Sequence, residues 1–214
     1  MRVILMAPPG GGKGTQARRL SRKHDIPHVE TGKILRRAVE EETAVGRKAK
    51  KYMDSGDLVP DTIMIDIIKE RLAEPDCEKG FVMDGFPRTA AQAEALSELF
   101  AEQDISLDGV IFLEVSDEEI FSRLSRRRVC ENCAETYHLD ANPPAEENTC
   151  DRCGGELKRR SDDQPEAIKH RLDEYRDKTK PVLEYYRNRD LLVEVDGEQQ
   201  IDAITREINN ILAG

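Results

Sequence analysis

Four glycines, a lysine and a threonine form the stretch of this chain best suited to do chemistry. Gly10, Gly11, Gly12, Lys13, Gly14 and Thr15 stand between a short apolar run, Val3 to Met6, and a helical pattern from Gln16 to Leu20. Strand, glycine loop and helix in that order describe a phosphate cradle. Glycines let successive backbone N–H groups point inward, and the helix N-terminus adds the positive end of its dipole. Lys13 would bring a mobile charge to the outer phosphates, and the Thr15 hydroxyl would sit near a magnesium ion. The full pattern has glycine at position 7, where this chain has Ala7. The phosphate donors start at Gly10, so Ala7 is expected to change the strand exit more than the chemistry.

Asp84 ends a second apolar run, Phe81 to Asp84, and Gly85, Phe86, Pro87 and Arg88 follow it. An acid at a strand end, in the same chain as a phosphate loop, reads as the group that organises magnesium through its water shell. Arginines are the second theme: Arg36, Arg88, Arg123, Arg127, Arg160 and Arg171 all fall near expected loops or movable segments. Their planar forks bind phosphate oxygens two at a time and stabilise charge passing between phosphates. His24, His28, His138 and His170 show no spacing that suggests a relay and read as surface or packing residues. A phosphate-oxygen acceptor needs no base to remove a proton, so the pattern favours transfer between nucleotides with water kept out.

Four of the five cysteines fall as Cys130-x-x-Cys133 and Cys150-x-x-Cys153, with 16 residues between the pairs. That spacing suits a four-thiolate zinc site of the structural kind, with no position left open for a substrate. Gly154 suits the turn after the second pair. Two disulfides are the alternative, which a reducing compartment disfavours. Cys77 reads as a buried or half-buried thiol with no role.

The elements that must position these groups alternate along the chain. Strands are expected over 2–6, 28–30, 81–84, 110–115 and 191–195. Helices are expected over 13–24, from a Thr31 cap, from an Asp61 cap, over 89–102, from a capping box at Ser116–Glu119 to about Arg128, from Pro165 toward Asn188 with a bend at Pro181, and over 201–212. Residues 31–60 read as two short helices broken near Gly46 and Gly56, too thinly apolar for a central position. This alternation implies a mainly parallel sheet covered on both faces, with ligands beyond the carboxyl ends of its strands. A chain of 214 residues suffices for one such domain with insertions. A net charge of −10 disfavours general nucleic-acid binding. No apolar run reaches the roughly 18 residues of a membrane span, and the N-terminal residues lack a secretory pattern, so a cytoplasmic location is expected. No extended apolar stripe calls for a partner, and a monomer is the default.

Taken together, the stretch Pro9–Thr15, the Thr31-Gly32 pair, the string Asp84–Arg88, Gln92, the cysteine insertion and Asp162-Asp163 resemble the adenylate kinases, in the long form with a zinc-bearing lid. The resemblance runs in order along essentially the whole chain. It implies a three-layer α/β/α phosphate-loop kinase fold with a central parallel five-stranded sheet. The core would comprise 1–30, 61–125 and 164–214, with an AMP-binding helical segment at 31–60 and a lid at 126–163. The implied reaction is reversible transfer from Mg-ATP to AMP, giving two ADP. Gly10 to Thr15 would hold the ATP phosphates. Arg123 would lie on the adenine, Arg127 on the phosphates, Thr136 and Tyr137 would reach ATP from the lid, and the Gln199 backbone would meet the adenine. Thr31, Arg36, the backbone of Asp57, Leu58 and Val59, Gly85 to Arg88 and Gln92 would hold AMP. Arg160 and Arg171 would bridge the two sets of phosphates. Kinases for UMP or CMP are the nearest rival, and a zinc-ribbon protein binding nucleic acid through its basic flanks is a more distant one.

Overall fold

The apolar runs become strands that are covered on both faces. In the computed structural model, which describes residues 1–55 and 57–213, β1 (Arg2–Met6), β2 (His28–Glu30), β3 (Phe81–Asp84), β4 (Gly109–Glu114) and β8 (Leu192–Asp196) form one sheet in the order β2-β3-β1-β4-β8. Every pairing in it is parallel. A separate antiparallel sheet, β6-β5-β7, joins β5 (Arg127–Cys130), β6 (Thr136–His138) and β7 (Leu157–Lys158). Nine α-helices of the described residues connect these strands: α1 (Lys13–His24), α2 (Thr31–Glu40), α3 (Ala44–Ser55), α4 (Asp61–Leu72), α5 (Ala90–Glu102), α6 (Asp117–Ser125), α7 (Pro165–Glu174), α8 (Lys180–Arg187) and α9 (Ile201–Ile211).

The two-residue period of a strand divides the core in two. Val3, Leu5, Val82, Ile111 and Leu113 meet Ala17 and Leu20 of α1 and Ile204 and Ile208 of α9. Ile4, Met6, Met83, Val110 and Phe112 face the other way, onto residues of α4, α5 and α8 that include Ile68, Leu96 and Tyr186. The chain is therefore a three-layer α/β/α fold around a parallel five-stranded sheet. Register matters for function, because Leu5 pairs with Asp84 and Asp84 with Glu30. The ends of β1, β2 and β3 are thus level at one edge.

Several local expectations give way to longer-range contacts. Thr31 does not cap α2; it is the first helical residue, and its hydroxyl donates to the Gly85 carbonyl at 3.0 Å. Asp61 likewise opens α4 after Pro60, and its carboxylate accepts from Thr89 at 3.0 Å and Gln92 at 2.7 Å. Ser116 does cap α6, but that helix ends at Ser125 and not near Arg128, because Arg127 starts β5. The bend before Pro181 is a π-helical turn, Tyr175–Thr179, in which the Lys180 N–H reaches back to the Tyr175 carbonyl. The extra residue keeps the proline ring clear of the preceding turn. Among the described residues, no helix is long and apolar enough to cross a membrane.

Gly46 does not break a helix. It lies buried inside α3, and the chain turns earlier, between α2 and α3. The expected break near Gly56 lies outside the described residues. A Cβ on Gly46 would stand 1.9 Å from the Ala38 carbonyl oxygen, so glycine is what lets α3 touch the α2 backbone. Gly46→Ala should cost about 2 kcal/mol by overpacking, seen as a drop in thermal midpoint of about 6 °C. A midpoint within about 1 °C of the parent would show that the two helices separate freely.

Candidate active site at the carboxyl edge of the sheet

A cleft of about 930 Å³ opens where the parallel strands end, lined by the glycine loop, Asp84, Arg88 and Arg171 among others. The loop is shaped by backbone that suits glycine. Gly10 and Gly12 hold φ of 79° and 91°, and the Gly11 N–H donates to the Pro8 carbonyl at 3.0 Å. Helix α1 starts at Lys13 with neither a side-chain cap nor an acid in its first turn. Its first amides and positive dipole end therefore stay available to an anion. A Cβ on Gly10 would meet Leu124 Cγ at 2.8 Å, so α6 fixes how closely the loop can fold.

Lys13 folds back over this loop, its Nζ donating to the carbonyls of Ala7 at 2.7 Å and Pro8 at 3.0 Å. Burial lowers its pKa to about 8; Asp84 opposes that shift, while Arg88, Arg171 and Arg127 reinforce it. Ala7 is buried and its carbonyl is one of the two that hold the lysine, which gives position 7 a part in the resting loop. Asp84 lies opposite. Burial alone would raise its pKa, but the hydrogen bond from His28 and the charge of Lys13 hold it below the usual carboxylate range.

Arg127, Arg160 and Arg171 come together around two adjacent acids. The fully buried Asp163 accepts from Arg127 Nε at 2.7 Å and Nη2 at 2.5 Å, and Arg171 Nη1 adds a contact at 3.3 Å. Asp162 takes the fork of Arg160, at 2.7 and 2.5 Å, and lies 3.1 Å from Arg171. Burial, with Arg127 and Arg160 nearby, lowers Arg171 to about 10, and it stays charged at neutral pH. Arg88 is also lowered by burial, with Arg160 and Arg36 contributing. Arg88 is held by neutral groups: its Nε donates to the Gly85 carbonyl at 2.8 Å, and its backbone N–H to Gln92 Oε1 at 2.7 Å. Arg36 carries Glu30 at 2.8 Å.

The other expected site residues divide between the cleft wall and the structure behind it. Arg123, Thr136, Tyr137, Gln199, Leu58, Gly85, Phe86 and Pro87 line the cleft. Arg123 is clamped by Glu119 at 2.7 Å and by the Gly197 carbonyl at 3.0 Å. The Gln199 side chain donates to Glu207, and the Tyr137 hydroxyl lies 3.4 Å from Cys150 Sγ. Thr31, Gln92 and Val59 are buried behind the wall. Asp57 is exposed and bonds His170 at 2.9 Å. Two histidines read as surface or packing groups thus have specific partners: His170 holds Asp57, and His28 Nε2 lies 3.2 Å from Asp84. Glu30 and His28 were legible only as residues of a strand end, since nothing local points them at Asp84 or Arg36.

The four cysteines converge as their spacing predicts. All four sulfurs lie within 4.8 Å of one another, with Cys130 and Cys153 at 3.5 Å and Cys133 and Cys150 at 3.6 Å. Those separations are too long for disulfides. They approach the edge of about 3.8 Å that four sulfurs make around a tetrahedral ion at 2.3 Å. Each pair closes a knuckle: the Ala134 N–H meets the Cys130 carbonyl at 3.0 Å, and the Gly154 N–H meets that of Cys150 at 2.8 Å. Ala134 takes a φ of 55° there and Gly154 one of 70°. The set fits a structural metal ion. Cys77 is buried beside Arg71, and burial raises its thiol to about 11.

A family-wide sequence pattern described as adenylate kinase matches residues 5–191. The chain is 53% identical over 208 residues to an adenylate kinase of Methanocella arvoryzae, covering 97% of this chain and 96% of that one. It is 51% identical over 212 residues to one from Archaeoglobus fulgidus, covering 99% and 98%. A bacterial relative, the adenylate kinase of Staphylococcus epidermidis, is 49% identical over 212 residues, covering 99% of each chain.

The lowered pKa of Lys13 has a sign that can be tested. The folded chain releases that proton near pH 8, whereas the unfolded chain keeps it to about 10.5. The charged lysine therefore weakens the nucleotide-free fold below pH 8, and stability recovers between pH 8 and 10.5. Lys13→Met should raise the thermal midpoint at pH 7 by a few degrees, with the gain fading toward pH 10. A gain that is constant with pH would assign it to packing instead.

Proposed function

The chain belongs to the adenylate kinase family, and we propose how its cleft performs that family's reaction. It is an enzyme that transfers a phosphoryl group reversibly between ATP and AMP, forming two ADP. The carrying observation is one cleft that presents a glycine-loop phosphate cradle together with Arg88 beside Asp84 and the arginines held by Asp162 and Asp163. In this reading Gly10 to Thr15 hold the ATP phosphates, and Lys13 leaves the Ala7 and Pro8 carbonyls to follow the transferred group. Arg123 and the Gln199 backbone hold the adenine, while Arg127 and the backbone of Thr136 and Tyr137 hold the phosphate side.

AMP enters from the other end of the cleft. Arg36 and Arg88 take its phosphate, Leu58 and Phe86 border its base, and Thr31, Val59 and Gln92 brace that wall from behind. Asp57 keeps the strip that follows α3 tied to α7 through His170. Arg160 and Arg171 bridge donor and acceptor phosphates, and Asp162 and Asp163 hold their forks in place. The acceptor is already an anion, so positioning and charge neutralisation carry the reaction without a general base. Asp84 and Thr15 would hold magnesium, which supplies charge neutralisation at the β- and γ-phosphates when bound.

Residues 126–163 act as a lid over ATP and 31–60 as the AMP-binding segment, both moving against the core of 1–30, 61–125 and 164–214. Closure excludes water, so phosphate passes to AMP and not to solvent. The ion in the lid is zinc, held by Cys130, Cys133, Cys150 and Cys153 in a structural role. Cysteines kept as a metal-held set and one buried thiol, and not as disulfides, suit the cytoplasm. A monomer fits a described surface whose exposed large apolar side chains are Phe121 and Leu139.

An ADP-forming assay over AMP, GMP, CMP and UMP should show AMP as the preferred acceptor; faster turnover of UMP would replace this reading with that of a pyrimidine nucleotide kinase. Lys13→Ala should lower kcat on the order of 10³-fold while the circular dichroism spectrum is retained. Elemental analysis should find one zinc per chain. Chelation or Cys130→Ala should lower thermal stability and leave turnover in the cold nearly intact. A metal-free chain with unchanged melting would exclude the four-thiolate site.

A further inference from the structure

Glu30, Asp162 and Asp163 each bond an arginine expected at the substrate phosphates, and Glu30 does so differently from the two aspartates. Asp163 is fully buried and Asp162 mostly so, and each bonds its principal arginine through both nitrogens of the fork. Glu30 instead makes a single bond, Oε1 to Arg36 Nη2 at 2.8 Å, with 27% of its side chain exposed. It sits on the last residue of β2, on the cleft wall, and its carboxylate lies within 4.8 Å of that of Asp84. A like charge at that distance pushes Glu30 away from its place, and nearby solvent gives it somewhere to go.

We propose that Glu30 is a displaceable counter-ion that sets the affinity of the acceptor site. In the empty cleft its carboxylate occupies Arg36, as a phosphate would. When AMP arrives, the dianionic phosphate takes the guanidinium and Glu30 swings into water. Glu30 therefore competes with every anion that seeks Arg36. AMP overcomes that competition with its base and ribose contacts as well as its phosphate. A bare anion such as inorganic phosphate meets the same competition with its charge alone, so Glu30 weakens phosphate and AMP by the same factor and leaves the nucleotide's other contacts to decide what occupies the site.

This inference rests on the reading of Arg36 as a ligand of the AMP phosphate, and the test separates the two. Glu30→Gln keeps the shape and removes the charge. In the full-length enzyme, KM for AMP should fall about fivefold, the order expected when a part-exposed ion pair stops competing. KM for ATP and kcat should stay within about twofold, because the change is confined to acceptor binding. Inorganic phosphate, a weak competitor of AMP in the parent, should inhibit the variant at about fivefold lower concentration by the same argument. In an Arg36→Gln background the effect of Glu30→Gln should vanish, since the two residues act as a coupled pair. An unchanged or raised KM for AMP in Glu30→Gln would overturn the proposal and leave Glu30 as a fixed brace for Arg36. If Arg36→Gln itself left KM for AMP unchanged, the acceptor-site reading would fail instead.

Discussion

Crowding of guanidinium groups is the constraint on which the rest of this structure depends. Two unit charges 4 Å apart interact by roughly 4 kcal/mol at an effective dielectric of about 20, so arginines can share a cleft only when the fold also brings them carboxylates. Asp162 and Asp163 do this for Arg127, Arg160 and Arg171. The stretch around them follows from that duty. Arg127 opens β5, Arg160 and the two acids follow β7 in a short 3-10 turn over Ser161–Asp163, and Arg171 projects from α7. The small antiparallel sheet is thereby tied to α7 at the point where charge must be concentrated, and this is also where α6 gives up its helix at Ser125.

Parallel strands brought level at their carboxyl ends supply the other half of the arrangement. With Leu5 paired to Asp84 and Asp84 to Glu30, three consecutive strands deliver a glycine loop, an aspartate and a glutamate to the same edge. No loop has to reach far for this. The core on both faces, built from alternating residues such as Val3 and Ile4, makes the register rigid, because a slip of one residue would exchange the two faces.

Much of this was legible in the sequence wherever function depends on near neighbours in the chain. The glycine loop, the two cysteine pairs and the Asp84–Arg88 string each carry their meaning within a few residues, and the strands around them follow from apolar runs. Failures fell where a side chain has a distant partner. Thr31 and Asp61 look like caps by residue type, yet their oxygens bond Gly85, Thr89 and Gln92. Gly46 looks like a breaker, but its missing Cβ serves contact with the backbone at Ala38. His28 and Glu30 carry no local mark, since only the sheet register sets them beside Asp84. The helix ending at Ser125 was overrun because Arg126–Arg128 continues a favourable helical composition while the small antiparallel sheet claims Arg127.

The placement of Asp84 is the least intuitive feature of a cleft that receives two anionic substrates. Lys13, Arg36, Arg88, Arg127, Arg160 and Arg171 bring six positive charges, and Glu30, Asp84, Asp162 and Asp163 return four negative ones. The empty cleft is therefore only modestly positive, less than the phosphates of two nucleotides require. Arg88, held by the Gly85 carbonyl and Gln92 and by no acid, keeps its full charge for substrate. Asp162 and Asp163 are too well bonded to leave, and their charge is part of the frame. Asp84 repels phosphate directly, so its burial at the strand edge makes sense only toward cations and polar partners: Lys13 across the loop, the His28 ring beside it, and the divalent ion proposed to travel with ATP. An acid is kept here because the missing positive charge arrives with the substrate and has to be aimed.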